Sequence, residues 1–95
     1  MNDQTIISRN DKAFMVSELG KEIVMMNTEN GDYLGLNKVS SKIWKLLEKP
    51  TTPQQIIDEL LLVFTVSKED CEKETMTFLN KMENYNMLVY HQLQK

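Results

Sequence analysis

The sequence is short of nearly everything that site chemistry requires. Its 95 residues include one cysteine, Cys71, one histidine, His91, and one arginine, Arg9. A single cysteine excludes an intrachain disulfide and any multi-cysteine zinc site. A single histidine excludes a two-histidine metal site and the zinc-helix motif. A cysteine–histidine nucleophile pair would need Cys71 and His91 to meet, yet Cys71 falls on an apolar helical stripe, where a small core or groove residue is the simpler reading. The three glycines, Gly20, Gly31 and Gly35, match neither the phosphate-loop nor the dinucleotide spacing, and calcium-loop spacing is missing as well. The longest apolar run is Leu60–Phe64, against the ~20 residues of a membrane helix. Met1–Phe14 holds no apolar stretch of signal-peptide length. Small secreted domains usually carry disulfide staples. The expectation is a cytoplasmic protein with no membrane partner, no catalytic constellation, no metal and no cofactor.

What remains is ordinary globular material. Apolar residues make up 41% and charged residues 26%, a balance that folds rather than one that stays disordered. A chain of this length buries about 60–65% of the surface its unfolded form exposes, enough for one core and too little for a two-domain enzyme. The formal charge of −3 and a pI near 5.1 argue against a nucleic-acid partner, because phosphate neutralisation needs clustered lysine and arginine. Residues 1–12, with Arg9, read as a flexible N-terminal arm, and 13–95 as a single domain.

The period of the pattern changes once along the chain. Ala13–Leu19, Lys21–Asn27 and Asp32–Leu36 read as strands of an antiparallel meander, with Ile23-Val24-Met25-Met26 as an apolar run of strand length. Asn30-Gly31 predicts a two-residue type I′ turn between the second and third, since both residues tolerate positive φ. The third strand is then a sheet edge. Beyond it the spacing becomes helical. Val39, Ile43, Leu46 and Leu47 make one helix face, with Asn37 or Ser40 as its cap. Thr52 and Pro53 start a second helix bearing Ile56, Leu60, Val63 and Phe64. Ser67 caps a third, with Asp70 in a capping-box-like position. Cys71, Thr75, Phe78, Met82 and Tyr85 step along that helix, Asn86 ends it, and Met87–Tyr90 reads as a short terminal strand. The fold class is α+β: a three-stranded antiparallel sheet followed by three helices, similar to a winged helix-turn-helix.

In such folds the third helix reads DNA. Here, between Ser67 and Asn86, three lysines stand against five carboxylates, a balance that repels phosphate. Non-specific DNA affinity is almost wholly electrostatic, so charge decides against a winged-helix DNA-binding regulator, which stays the alternative of another class. The acidic run Glu69, Asp70, Glu72 and Glu74 reads as dipole complementation on a solvated face. Met25, Met76 and Met82 fall on apolar patterns and read as core filling, and Trp44 reads as a core anchor beside the first helix stripe.

The segment Tyr33 to Leu47 (Y-L-G-L-N-K-V-S-S-K-I-W-K-L-L), the later P-x-x-I-I-D-E-L with Phe64, and F-L-x-x-M followed by Met87-Leu88-Val89 occur in an order that resembles the PqqD-like family. These are peptide chaperones, also called precursor-peptide (RiPP) recognition elements, of ribosomally made and modified peptides. The resemblance runs from about Ala13 to Tyr90. The family usually has glycine where Ser40 or Ser41 stands and where Asn86 stands; both replacements are small or tolerant of positive φ and keep the fold.

The resemblance implies a protein with no catalysis of its own. It binds the leader of a precursor peptide as an added strand on the edge near 32–36, beside the third helix. An open strand edge is a template for such addition, with backbone hydrogen bonds supplying affinity and alternate side-chain pockets specificity. The peptide-binding residues expected are Asp32, Tyr33, Leu34, Gly35 and Leu36 on the edge, with Cys71, Lys73, Glu74, Thr75 and Phe78 on the helix. Phe78 has a core alternative. Gly35 reads equally as room for an incoming backbone or as relief of packing against a helix. The partners implied are the leader and a maturation enzyme, most like the leader protease of a lasso peptide pathway, with a radical-SAM peptide-modifying enzyme as the alternative. The same edge can self-pair into a weak homodimer.

Overall fold

In the computed structural model, which describes residues 1–12, 14–20, 22–29 and 31–91, the elements run β1 (Ile6–Arg9), β2 (Phe14–Leu19), β3 (Glu22–Asn27), β4 (Tyr33–Leu36), α1 (Lys38–Leu46), α2 (Pro53–Val63), α3 (Lys68–Asn84) and β5 (Leu88–His91). Strands β2, β3 and β4 form the expected antiparallel meander in that order, leaving β4 at one edge. Alternation decides its faces. Ile23 opposes Leu36 and Met25 opposes Leu34, and all four are buried on the face toward the helices. The row Met15, Met26 and Tyr33 lies on the other face, with Met15 and Tyr33 exposed.

The β3–β4 register differs from the expected one. A two-residue turn at Asn30-Gly31 would set Glu29 opposite Asp32. Instead the Asn27 N–H donates to the Asp32 carbonyl at 2.8 Å, and the Gly31 N–H to the Asn27 carbonyl at 2.9 Å. The cause is Asn27, whose buried side chain accepts from the Glu29 N–H at 2.8 Å and so begins the turn early. Gly31 takes the positive φ of +76° that the closure needs. Asn30 itself lies outside the described residues, as do Ala13 and Lys21 at the expected strand starts.

The N-terminal segment is the larger correction. Residues 1–12, expected as a flexible arm, carry β1, which pairs antiparallel with β5. On its other side the Ile7 N–H donates to the Thr51 carbonyl at 2.7 Å and the Thr51 N–H donates back at 2.8 Å. Ile7 is fully buried. Two adjacent apolar residues, Ile6 and Ile7, among polar neighbours are too short a pattern to predict a strand; the strand's partners come from the far end of the chain. Arg9 is likewise placed: its guanidinium lies 4.2 Å from the centroid of the half-buried Trp44 ring, and its Nε reaches Asp11 at 2.8 Å.

Local chemistry sets the helix ends. Asn37 caps α1 by accepting from the Ser40 N–H at 2.9 Å. Thr52 and Gln55 form a capping box at α2 with Pro53 at the first helical position, and Ser67 accepts from the Asp70 N–H at 3.1 Å. At the end of α3, Asn86 sits at φ +57° while the Asn86 N–H donates to the Glu83 carbonyl and the Met87 N–H to the Met82 carbonyl. This double closure satisfies carbonyls that a helix end leaves orphaned. The core joins the sheet's inner face to Ile43, Leu47, Ile56, Ile57, Leu60, Phe78, Leu79, Met82 and Met87. On α2 the buried stripe is Ile56, Ile57 and Leu60; Val63, expected on it, stands on the last turn and is exposed. No helix among the described residues is long and apolar enough to cross a membrane.

Candidate functional site

The β4 edge and the exposed side of α3 enclose a groove of about 530 Å³. Strand β4 supplies Leu34 and Gly35; the start of α1 supplies Asn37, Val39, Ser40 and Ile43; Val66 precedes α3. From α3 come Asp70, Lys73, Glu74, Thr77, Phe78 and Lys81, a spacing of three and four that makes one helix face. The groove therefore has an apolar floor of Leu34, Val39, Ile43 and Phe78, and a charged wall along α3.

Hydrogen-bond alternation in the sheet aims the edge at this groove. In an antiparallel pair, directly bonded residues alternate with residues whose backbone groups face the opposite side. The bonded pair Asn27–Asp32 fixes the phase, so Leu34 and Leu36 bond to Met25 and Ile23 across the register. The N–H and C=O of Tyr33 and of Gly35 then face away from β3, where no strand pairs with β4 among the described residues. These four backbone groups can complete a ladder with an added chain. A Cβ built on Gly35 meets nothing within 4 Å. Gly35 thus does not relieve packing against a helix, and the space beside it is open.

Of the site residues expected from the sequence, Leu34, Gly35, Lys73, Glu74 and Phe78 line the groove. Phe78 serves the core as well, being only 6% exposed. Cys71 and Thr75 are a correction: they are 2% and 0% exposed, and the Cys71 thiol points to the Ile57 carbonyl on α2 at 3.9 Å. They belong to the stripe that α3 buries against α2, and the groove stripe runs beside it. Burial pushes the Cys71 thiol above its ordinary pKa, with Glu74 and Glu72 adding and the Thr75 hydroxyl opposing. Leu36 is buried beneath the sheet; Asp32 and Tyr33 are exposed on the edge outside the groove. The sequence reading missed Asp70, Thr77 and Lys81 on α3, along with Asn37, Val39, Ser40, Ile43 and Val66. The periodic signal for the α3 set was present. It is the 3-4 stripe one position away from the apolar one, and polar stripes are ordinarily solvated faces.

Among the described residues, no group of three or more histidine, cysteine, aspartate or glutamate side chains is placed to hold a metal ion. Nor are Cys71 and His91 brought together: Cys71 is sealed in the core, while His91 lies on β5 with its Nε2 2.8 Å from the Ser8 hydroxyl. The geometry suits holding an extended chain.

Among solved structures the chain is similar to TbiB1 in complex with the TbiA(beta) leader peptide, at 28% identity and a TM-score of 0.72, covering 90% of this chain and 99% of that one. It shares its fold with lasso peptide synthetase B1 complexed with the leader peptide, at 17% identity and a TM-score of 0.72, over 87% and 96% of the two chains. Among curated proteins no match was found. The family model for coenzyme PQQ synthesis protein D (PqqD) matches residues 22–88, more than half of the sequence and every residue that lines the groove, and the chain therefore belongs to the PqqD family.

Proposed function

We propose that this protein is a non-catalytic recognition element of the cytoplasm that binds the leader region of a ribosomally made precursor peptide. The leader adds as a strand to β4, and its side chains on one face fill the groove against α3. The observation that carries the reading is the open ladder of Tyr33 and Gly35 beside an apolar groove, in a chain similar over nearly its full length to a protein solved with a leader peptide bound. Backbone pairing supplies affinity and the groove side chains supply selectivity. The recognised leader is then delivered to a separate maturation enzyme. Both solved neighbours are complexes with a leader peptide and one of them is a lasso peptide synthetase B1, which supports the leader protease of a lasso peptide pathway as that enzyme. The alternative partner is a radical-SAM peptide-modifying enzyme, consistent with a family described by its part in coenzyme PQQ synthesis. At high concentration the same edge pairs with a second copy, giving a weak dimer that peptide dissolves.

The test is a fluorescence-anisotropy titration with labelled leader peptides from short open reading frames beside the gene, and a duplex DNA control. Saturable leader binding without DNA binding is expected. Salt-sensitive DNA binding without leader binding would replace the proposal with a winged-helix regulator. Co-purification with the neighbouring protease or with a radical-SAM enzyme separates the two delivery partners.

A further inference from the structure

The α3 wall of the groove carries more charge than holding an apolar strand requires, and the charges are sorted. Asp70, Lys73 and Glu74 stand at the N-terminal end of the wall and Lys81 at its C-terminal end, with Thr77 between. One end is thus net negative and the other positive. All four charged side chains are exposed. Among the described residues none of the four makes an ion pair; the pair present is Arg9–Asp11. Their charges are available to a ligand.

The strand's direction relative to this gradient follows from two hydrogen bonds. The Asn27 side-chain Nδ2 donates to the Tyr85 carbonyl at 2.8 Å, which sets the C-terminal end of α3 beside the end of β3. The Asn27 N–H donates to the Asp32 carbonyl, so β4 starts at that same place. Tyr33 therefore lies toward Lys81. The strand runs from there through Leu36 to the cap of α1, and the groove continues by Asn37 and Ser40 to Val66 and Asp70. From Asp70 to Lys81 the helix rises about 16 Å at 1.5 Å per residue, the span of about five extended residues at 3.3 Å each. An added strand of that length touches both charged ends and covers the apolar floor between them.

We infer that the groove selects its peptide by charge polarity: the bound segment carries a basic residue at its N-terminal end, apolar residues in the middle and an acidic residue four or six positions later, an even spacing that puts both charged side chains on the face toward α3. This rests on the peptide-binding reading and names the chemistry of its ligand. The polarity assumes antiparallel addition to β4, the more stable pairing per residue. A basic N-terminal residue then meets Asp70 and Glu74, and an acidic C-terminal residue meets Lys81. Exposed pairs contribute little affinity each, so the gradient acts chiefly on orientation, register and rejection of wrong chains.

The experiment uses a displayed library of random twelve-residue peptides selected on the full chain and on two surface variants, Lys81→Glu and the double variant Asp70→Lys with Glu74→Lys. The most enriched wild-type peptide and its charge-swapped counterpart are then synthesised and titrated by anisotropy at low and high salt. On the wild type, basic–apolar–acidic peptides are expected, with the selected peptide favoured about five- to tenfold over its swapped form and the preference shrinking with salt. Lys81→Glu is expected to lose the acidic position alone, and the double variant the basic position alone. Enriched apolar peptides without charge order, or with the order reversed, overturn the inference and leave the peptide-binding reading standing. No enrichment of any peptide removes that reading and the inference with it.

Discussion

Two neighbouring proline substitutions on β4 separate the ligand-facing backbone from the fold-facing backbone. The Gly35 N–H faces the groove and the Leu34 N–H faces β3, as fixed by the Asn27–Asp32 pair and the β3–β4 register. Gly35→Pro removes a donor that the fold itself does not use, at an edge position where proline is tolerated. Nothing within 4 Å of a Cβ there would clash, and Leu34, being in a strand, already has the extended backbone that the residue before proline prefers. Stability should move by less than about 1 kcal/mol, since restricting the unfolded chain offsets small strain. The bound peptide, by contrast, loses a hydrogen bond and keeps an unpaired carbonyl, a cost of about 1–3 kcal/mol, which is about five- to 150-fold in Kd. Leu34→Pro breaks a ladder bond to Met25 and empties a buried site. At about 3 kcal/mol or more, that is a large share of the roughly 5–14 kcal/mol available to a chain of this size. Urea denaturation followed by Trp44 emission measures stability, and anisotropy of a labelled leader measures binding. Gly35→Ala, which keeps the N–H, is the control and should bind within about twofold. A folded Gly35→Pro variant with wild-type affinity would refute strand addition at β4. A Gly35→Pro variant as unstable as Leu34→Pro would refute the phase of the ladder.

Ile7→Ala should destabilise by about 2–4 kcal/mol, because Ile7 is fully buried, whereas a loose arm would lose nothing; chemical denaturation distinguishes the two. Trp44→Ala should cost about 2–3 kcal/mol, less than for a fully buried indole, since the ring is half-buried under Arg9; leader affinity should not change, because Trp44 does not line the groove. Cys71 should resist a disulfide-exchange reagent at pH 8 in the folded protein and react at once in urea, as its thiol is buried and its pKa raised. The sign of the pH effect follows from that shift. The unfolded thiol ionises near its ordinary value of 9.0 while the folded one still holds its proton. The thiol's contribution to stability is therefore undiminished below pH 9 and is lost as pH rises through the raised folded value; a midpoint in Cys71→Ala that falls as steeply above pH 9 as in the wild type would contradict it.

The helices were legible in the chain because their determinants are local. Asn37, Thr52 with Gln55, Ser67 and Asn86 each act within a few residues of the helix end they satisfy. The apolar run Ile23–Met26 and the Asn30-Gly31 turn signal likewise announced two strands and an open edge. The β3–β4 register was less legible, since Asn30-Gly31 offered a shorter turn than the one that the buried Asn27 side chain enforces through Glu29. Strand β1 was not legible at all: its one buried residue, Ile7, gains meaning only when β5 and Thr51 arrive from elsewhere in the chain.

For the candidate site the division is similar. The edge strand and the face-forming spacing of α3 are properties of the sequence, and with the family resemblance they led to Leu34, Gly35, Lys73, Glu74 and Phe78 in the groove, but equally to Cys71 and Thr75 in the core and to Asp32, Tyr33 and Leu36 outside it. Which stripe of α3 would be buried was decided by packing against α2, which seats Cys71 on Ile57, leaves Thr75 fully buried on the same stripe and turns Asp70, Thr77 and Lys81 toward the groove. A helix with apolar and polar stripes side by side fixes its own periodicity, but its rotation about its axis is set by the partner it packs against. Periodicity is written in one segment, while rotation, register and the pairing of distant strands are contacts between segments, and those existed only once the chain had closed on itself.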